Sequence, residues 1–72
     1  MSALATIRAN VKRLRLEQGL TQQQLSERAG MDYKYFQKIE SGRWPGLQVR
    51  TVETLAKALR VDVGKLFVGN GK

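Results

Sequence analysis

The sequence predicts an all-α fold of five short helices, and three observations carry that expectation. Apolar residues recur at spacings of three and four, as in Leu4, Ile7, Val11 and Leu14, which is the single stripe of an amphipathic helix. Residues that start and stop helices stand between the stripes: Thr21 and Asp32 offer side-chain oxygens to unpaired N–H groups, and Gly19, Gly30 and Gly42 follow as stop signals. No segment alternates apolar and polar residues as a half-buried strand would, and there is no internal repeat or low-complexity tract.

The first helix carries the stripe Leu4 to Leu14 and is stopped by Gly19. Thr21 caps the second, which runs from Gln22 to about Ala29 and buries Leu25 and Ala29 before Gly30 closes it. Asp32 caps a third helix whose inner face is marked by Phe36 and Ile39 and which ends near Ser41 and Gly42. So tight a turn, with a glycine in it, does not let helices two and three lie antiparallel, so they must cross steeply. The segment Arg43-Trp44-Pro45-Gly46-Leu47 reads as a loop. A fourth helix starts at about Val49 on the stripe Val49, Val52, Leu55, Ala56 and Leu59. Asp62 is placed to cap a short fifth containing Val63, Leu66 and Phe67, and residues 69–72 are expected to fray.

With 72 residues, 42% of them hydrophobic and 26% charged, the chain has the composition of one small globular domain spanning 1–72. It contains no cysteine and no histidine, which excludes disulfides, thiolate or imidazole metal sites and Ser/His or Cys/His nucleophile pairs. The six carboxylates show no paired catalytic spacing, so neither enzyme activity nor a cofactor is expected. The net charge of +7 points to a polyanion such as nucleic acid, with an anionic membrane surface as the rival. Membrane binding fits poorly, because the apolar stripes are needed for a core and no apolar run reaches the length of a span. Without a signal-like leader in MSALATIRANVKRLR, a cytoplasmic location is expected. The basic surplus is spread along the whole chain, so the fold must gather it into a face.

Taken together, Leu20-Thr21-Gln22, Leu25, Ala29-Gly30-Met31, Tyr35-Phe36 and Ile39-Glu40-Ser41-Gly42 resemble the phage-repressor-like helix-turn-helix family of the Cro and cI repressors, also called XRE-type. Arg15 and the later run Leu55-Ala56-Lys57-Ala58-Leu59-Arg60-Val61 with Leu66-Phe67 extend the resemblance over about residues 7–67. The resemblance implies a helix-turn-helix over about 21–41 and a transcription regulator that binds double-stranded DNA without a cofactor, commonly as a homodimer. Val61, Val63, Phe67 and Val68 are the apolar residues available for a dimer contact. The chain departs from the family pattern at Asp32, where Ser or Thr is usual, at Phe36, where Val or Ile is usual, and in a loop about one residue longer. Phe36 therefore has to be accommodated between the two motif helices, and Asp32 sets a negative charge near the phosphates.

If helix three lies in the major groove, Tyr33, Lys34, Gln37 and Lys38 are the side chains that can reach base edges; otherwise they form a solvated helix face. Gln22 opens helix two, where unpaired N–H groups and the positive dipole end favour a phosphate. Arg43, Trp44, Arg50 and Thr51 are candidates for gripping the DNA backbone, although a tryptophan beside proline, as Trp44 is, more often covers the edge of the core. The resemblance also implies a structural ion pair between Arg15 and Glu40, suited to a planar guanidinium binding a carboxylate bidentately. The competing function is an antitoxin-like module that neutralises a partner protein and binds DNA at its own promoter. The length suits a complete small regulator and the N-terminal domain of a longer one equally.

Overall fold

The computed structural model describes residues 2–43 and 46–69. Five helices follow one another: α1 (Ala3–Glu17), α2 (Gln22–Arg28), α3 (Tyr33–Ser41), α4 (Val49–Ala58) and α5 (Gly64–Phe67), with no strand among the described residues. The all-helical class and the five elements are as expected. Trp44 and residues 70–72 of the expected tail lie outside the described residues.

Local chemistry sets the starts of the first three helices. Ser2 Oγ accepts from the Ala5 N–H at 3.1 Å, opening α1 one residue ahead of its apolar stripe. Thr21 Oγ1 accepts from the Gln24 N–H at 3.0 Å while Gln24 Oε1 accepts from the Thr21 N–H at 2.8 Å, so two otherwise unpaired donors are satisfied reciprocally. Asp32 Oδ2 accepts from the Tyr35 N–H at 3.0 Å, which turns its carboxylate to a capping role. The expected cap by Asp62 does not form. Val63 already has helical angles ahead of α5, and it is the Asp62 carbonyl that accepts from Lys65, at 2.9 Å.

The first four helices all end in the same pair of backbone hydrogen bonds, a long one reaching back five residues and a short one reaching back three. Examples are Leu20 to Arg15 with Gly19 to Leu16, and Val61 to Ala56 with Arg60 to Lys57. This geometry needs one residue in the left-handed region. Gly19, Gly30 and Gly42 take that place in α1 to α3, and Arg60 takes it in α4 at φ 61°.

The core gathers one stripe from each helix: Ile7 and Val11, Leu25, Phe36, then Val52, Leu55, Ala56 and Leu59, and Leu66. Phe36 is wholly buried, so the packing absorbs the bulkier side chain. Val49 departs from the expected stripe at 69% exposure. It is the first residue of α4, and Leu47 before it packs against the core in its place. Phe67 is half exposed, because the four residues of α5 make barely one turn and only Leu66 points inward.

Two buried polar side chains fasten the helices together. Asn10, inside α1, donates Nδ2 to the carbonyls of Leu66 and Val68 at 2.9 Å each, with a longer contact to Lys65 at 3.4 Å, and so satisfies the end of α5. Arg15 donates Nε and Nη2 to the two oxygens of Glu40 at 2.9 and 2.8 Å, and Nη1 to the Leu20 carbonyl at 2.8 Å. This bidentate pair joins α1 to α3, and its side chains are only 9% and 3% exposed.

Replacing one partner of such a pair strands a buried charge. Glu40→Ala should therefore destabilise by about 3–5 kcal/mol in urea unfolding, a large part of the roughly 4–11 kcal/mol expected for a chain of 72 residues. The double change Arg15→Met with Glu40→Leu should cost much less, since it removes both charges. Asn10→Leu should destabilise by about 2–4 kcal/mol through the orphaned carbonyls and speed amide exchange in α5 well before α2 and α3 open.

Candidate nucleic-acid interface

The nine residues of α3 divide between two faces. Phe36 and Ile39 are fully buried and Glu40 is held by Arg15, which fixes the rotation of the helix about its axis. Lys34, Gln37, Lys38 and Ser41 stand three, four and seven residues apart and therefore form a single outward stripe.

That stripe forms one side of an open concavity of about 410 Å³, lined by Gln22, Lys34, Gln37, Lys38, Ser41 and Arg43. Gln22 at the start of α2 and Arg43, two residues past the end of α3, supply the remaining walls. Five of the candidate contact residues are thus brought together, and Ser41 joins them. Its position seven residues after Lys34 was the available signal. Three of the lining residues are cationic and none is acidic. Glu40, although adjacent in sequence, keeps both oxygens turned inward to Arg15.

Gln22 is more constrained than its position at the start of α2 suggests. Its Nε2 donates to Glu40 Oε1 at 2.9 Å, leaving one amide hydrogen and the acceptor oxygen for anything outside. The start of α2 is thereby tied to the end of α3. Gln37 Nε2 donates to Tyr33 Oη at 3.1 Å, so these two side chains, one turn apart, are held as a unit beside the concavity, and Tyr33 does not line it. Arg50 and Thr51 occupy the first turn of α4, the former exposed and the latter half-buried, and they also stay outside the concavity. Trp44 falls outside the described residues, so its two roles are not separated.

The site offers a row of donors and cations on a rigid support. Among the described residues no group of three or more carboxylates is placed to hold a metal ion, and no helix is long and apolar enough to cross a membrane. Its chemistry is recognition of an anionic surface with directional hydrogen bonds, the combination used to follow a phosphate backbone and touch base edges.

Comparisons with known proteins agree with this arrangement. No curated protein matches the chain. Among solved structures, a hypothetical transcription factor, NHTF, from Neisseria superposes with a TM-score of 0.89 at 26% sequence identity, covering 96% of this chain and 78% of that one. A family model described as a helix-turn-helix domain matches residues 7–66, which takes in most of α1, all of α2 to α4 and nearly all of α5. With α2 and α3 tied through Glu40 and the match extending over most of the sequence, the chain belongs to the helix-turn-helix domain family.

Proposed function

We propose that the chain is a sequence-specific regulator of transcription that binds double-stranded DNA by placing α3 in the major groove and acts by occupying its operator. The observation that carries this reading is the basic concavity on the outward face of α3, where Lys34, Lys38 and Arg43 stand without an acidic neighbour in the lining. Lys34, with Tyr33, lies in the first turn of α3, the part of a recognition helix that enters the groove most deeply. Lys38 lies one turn on, nearer a crossing backbone. Gln37, steadied by Tyr33, presents an amide suited to adenine. Gln22, Arg43, Arg50 and Thr51 serve the phosphates, contacts that position the protein without carrying sequence information.

The regulator works as a homodimer in this proposal. Val63, Phe67 and Val68 stay exposed near the end of the described chain, where a second copy can cover them. Val61 is half-buried against the core and contributes less.

Selecting bound sequences from random duplex DNA tests the proposal, with a palindromic consensus expected and failure to enrich any sequence counting against it. If the dimer neutralises roughly six to eight phosphates, log affinity should fall against log salt with a slope of about −5 to −7, and a slope near zero would reject DNA as the partner. Lys34→Ala should cost about 1–3 kcal/mol at the preferred site and relax one base pair, while non-specific binding changes far less. An unchanged consensus with an equal loss on every duplex would move Lys34 to the phosphate group of contacts.

A further inference from the structure

A second concavity, of about 300 Å³, lies between the ends of α2 and α4 and is lined by Arg28, Ala29, Thr54, Lys57, Ala58 and Arg60. Half of its lining is cationic and none of it is acidic. Arg28 Nη1 makes one long contact of 3.4 Å to the Ala58 carbonyl, and the side chains of Lys57 and Arg60 have no hydrogen bond or ion pair among the described residues. Gln22 opens α2 toward the first concavity, and Arg28 closes the same helix about 9 Å further along its axis. The two basic surfaces therefore sit at opposite ends of α2.

Arg60 supplies an independent observation. Among the described residues it is the one non-glycine in the left-handed region, at a helix end whose three counterparts are all glycine. The backbone hydrogen bonds of this turn are the same as those at the glycine ends, so turn geometry asks for no side chain here. A Cβ is sterically disfavoured at this φ. The charge is not needed to balance the last carbonyls of α4 either, because Lys57 stands in that turn and Arg28 reaches Ala58. What Arg60 adds is a third cation on the rim of the concavity.

We propose that this surface docks an acidic segment of a partner protein, with Arg28, Lys57 and Arg60 pairing its carboxylates over a floor made by Ala29, Ala58 and Thr54. The floor decides between a polypeptide and a second duplex. Two alanine side chains contribute little to a phosphate backbone, whereas a segment carrying Glu or Asp beside small apolar residues meets both rim and floor. The surface operates whether or not α3 holds DNA.

The test uses the whole chain and a labelled synthetic peptide that places Glu and Ala on one helical face, followed by fluorescence anisotropy and by backbone amide shifts. Amide shifts should centre on Arg28, Thr54, Lys57 and Arg60. Arg60→Gly should weaken the peptide about threefold and Lys57→Glu about tenfold. Arg60→Gly relieves the left-handed side chain and should raise the melting temperature by about 2–6 °C, so its loss of affinity cannot be read as unfolding. The proposal is overturned if the wild-type chain does not bind the peptide, if both substitutions leave affinity unchanged, or if the shifts centre on Lys34 and Gln37. It is equally overturned if Arg60→Gly weakens duplex DNA while sparing the peptide, which would make the surface a phosphate contact.

Discussion

The buried carboxylate of Glu40 is the point on which the geometry of this molecule turns. A charge in so dry a position is tolerable only when its lone pairs are met by donors of good geometry. Three donors meet it: Nε and Nη2 of Arg15, and Nε2 of Gln22. Because Arg15 belongs to α1, Gln22 to the start of α2 and Glu40 to the end of α3, one side chain sets three helices in register. The remaining Arg15 nitrogen takes the Leu20 carbonyl, which fixes the turn between α1 and α2 as well. Apolar packing of Leu25, Phe36 and Ile39 supplies the larger share of the burial but has no direction of its own. The directional bonds at Glu40 select one rotation of α3 among those that the packing would allow.

Most of the fold was legible because its signals are local. Thr21 and Asp32 cap the helices that they precede, and the glycines after α1, α2 and α3 adopt the left-handed angles that such ends require. The failures have tertiary causes. Val49 fits the period of α4, yet periodicity does not say where a helix emerges from its neighbours, and Leu47 takes the place beside the core. Asp62 has the right composition for a cap, but Val63 is already helical ahead of so short an element. Asn10 reads as one more polar residue on a basic helix. Its importance comes from carbonyls more than fifty residues away, which no local pattern can announce.

The candidate site was legible to the extent that it lies on a single helix. Lys34, Gln37 and Lys38 could be placed from the period of α3 alone, once Phe36 and Ile39 were assigned to the core. The inward commitment of Gln22 was not readable in this way, because the position of a side chain at the start of one helix depends on what the end of another helix offers it. The same holds for the coupling of Gln37 to Tyr33, which is spaced for a one-turn contact but becomes a hydrogen bond only through the rotamers of both.

The fold also explains how a chain with its charge scattered along the sequence acquires basic faces. It does so by keeping carboxylates out of the two concavities, although Glu27, Glu53 and Asp62 stay exposed elsewhere. Glu40 is buried against Arg15, Glu17 pairs with Arg13 along α1 at 3.1 Å, and Asp32 is turned to the Tyr35 N–H. Neither concavity has an acidic residue in its lining. Surface pairs contribute little to stability in themselves, so the consequence of this placement is the sign of the field that each face presents. On α3 the separation follows the helical period. Phe36, Ile39 and Glu40 hold the helix, and Lys34, Gln37, Lys38 and Ser41 face outward from the same nine residues. Exchanging an outward residue leaves the core and the Glu40 network untouched, so on this scaffold the chemistry of the face is free to vary while its position stays fixed.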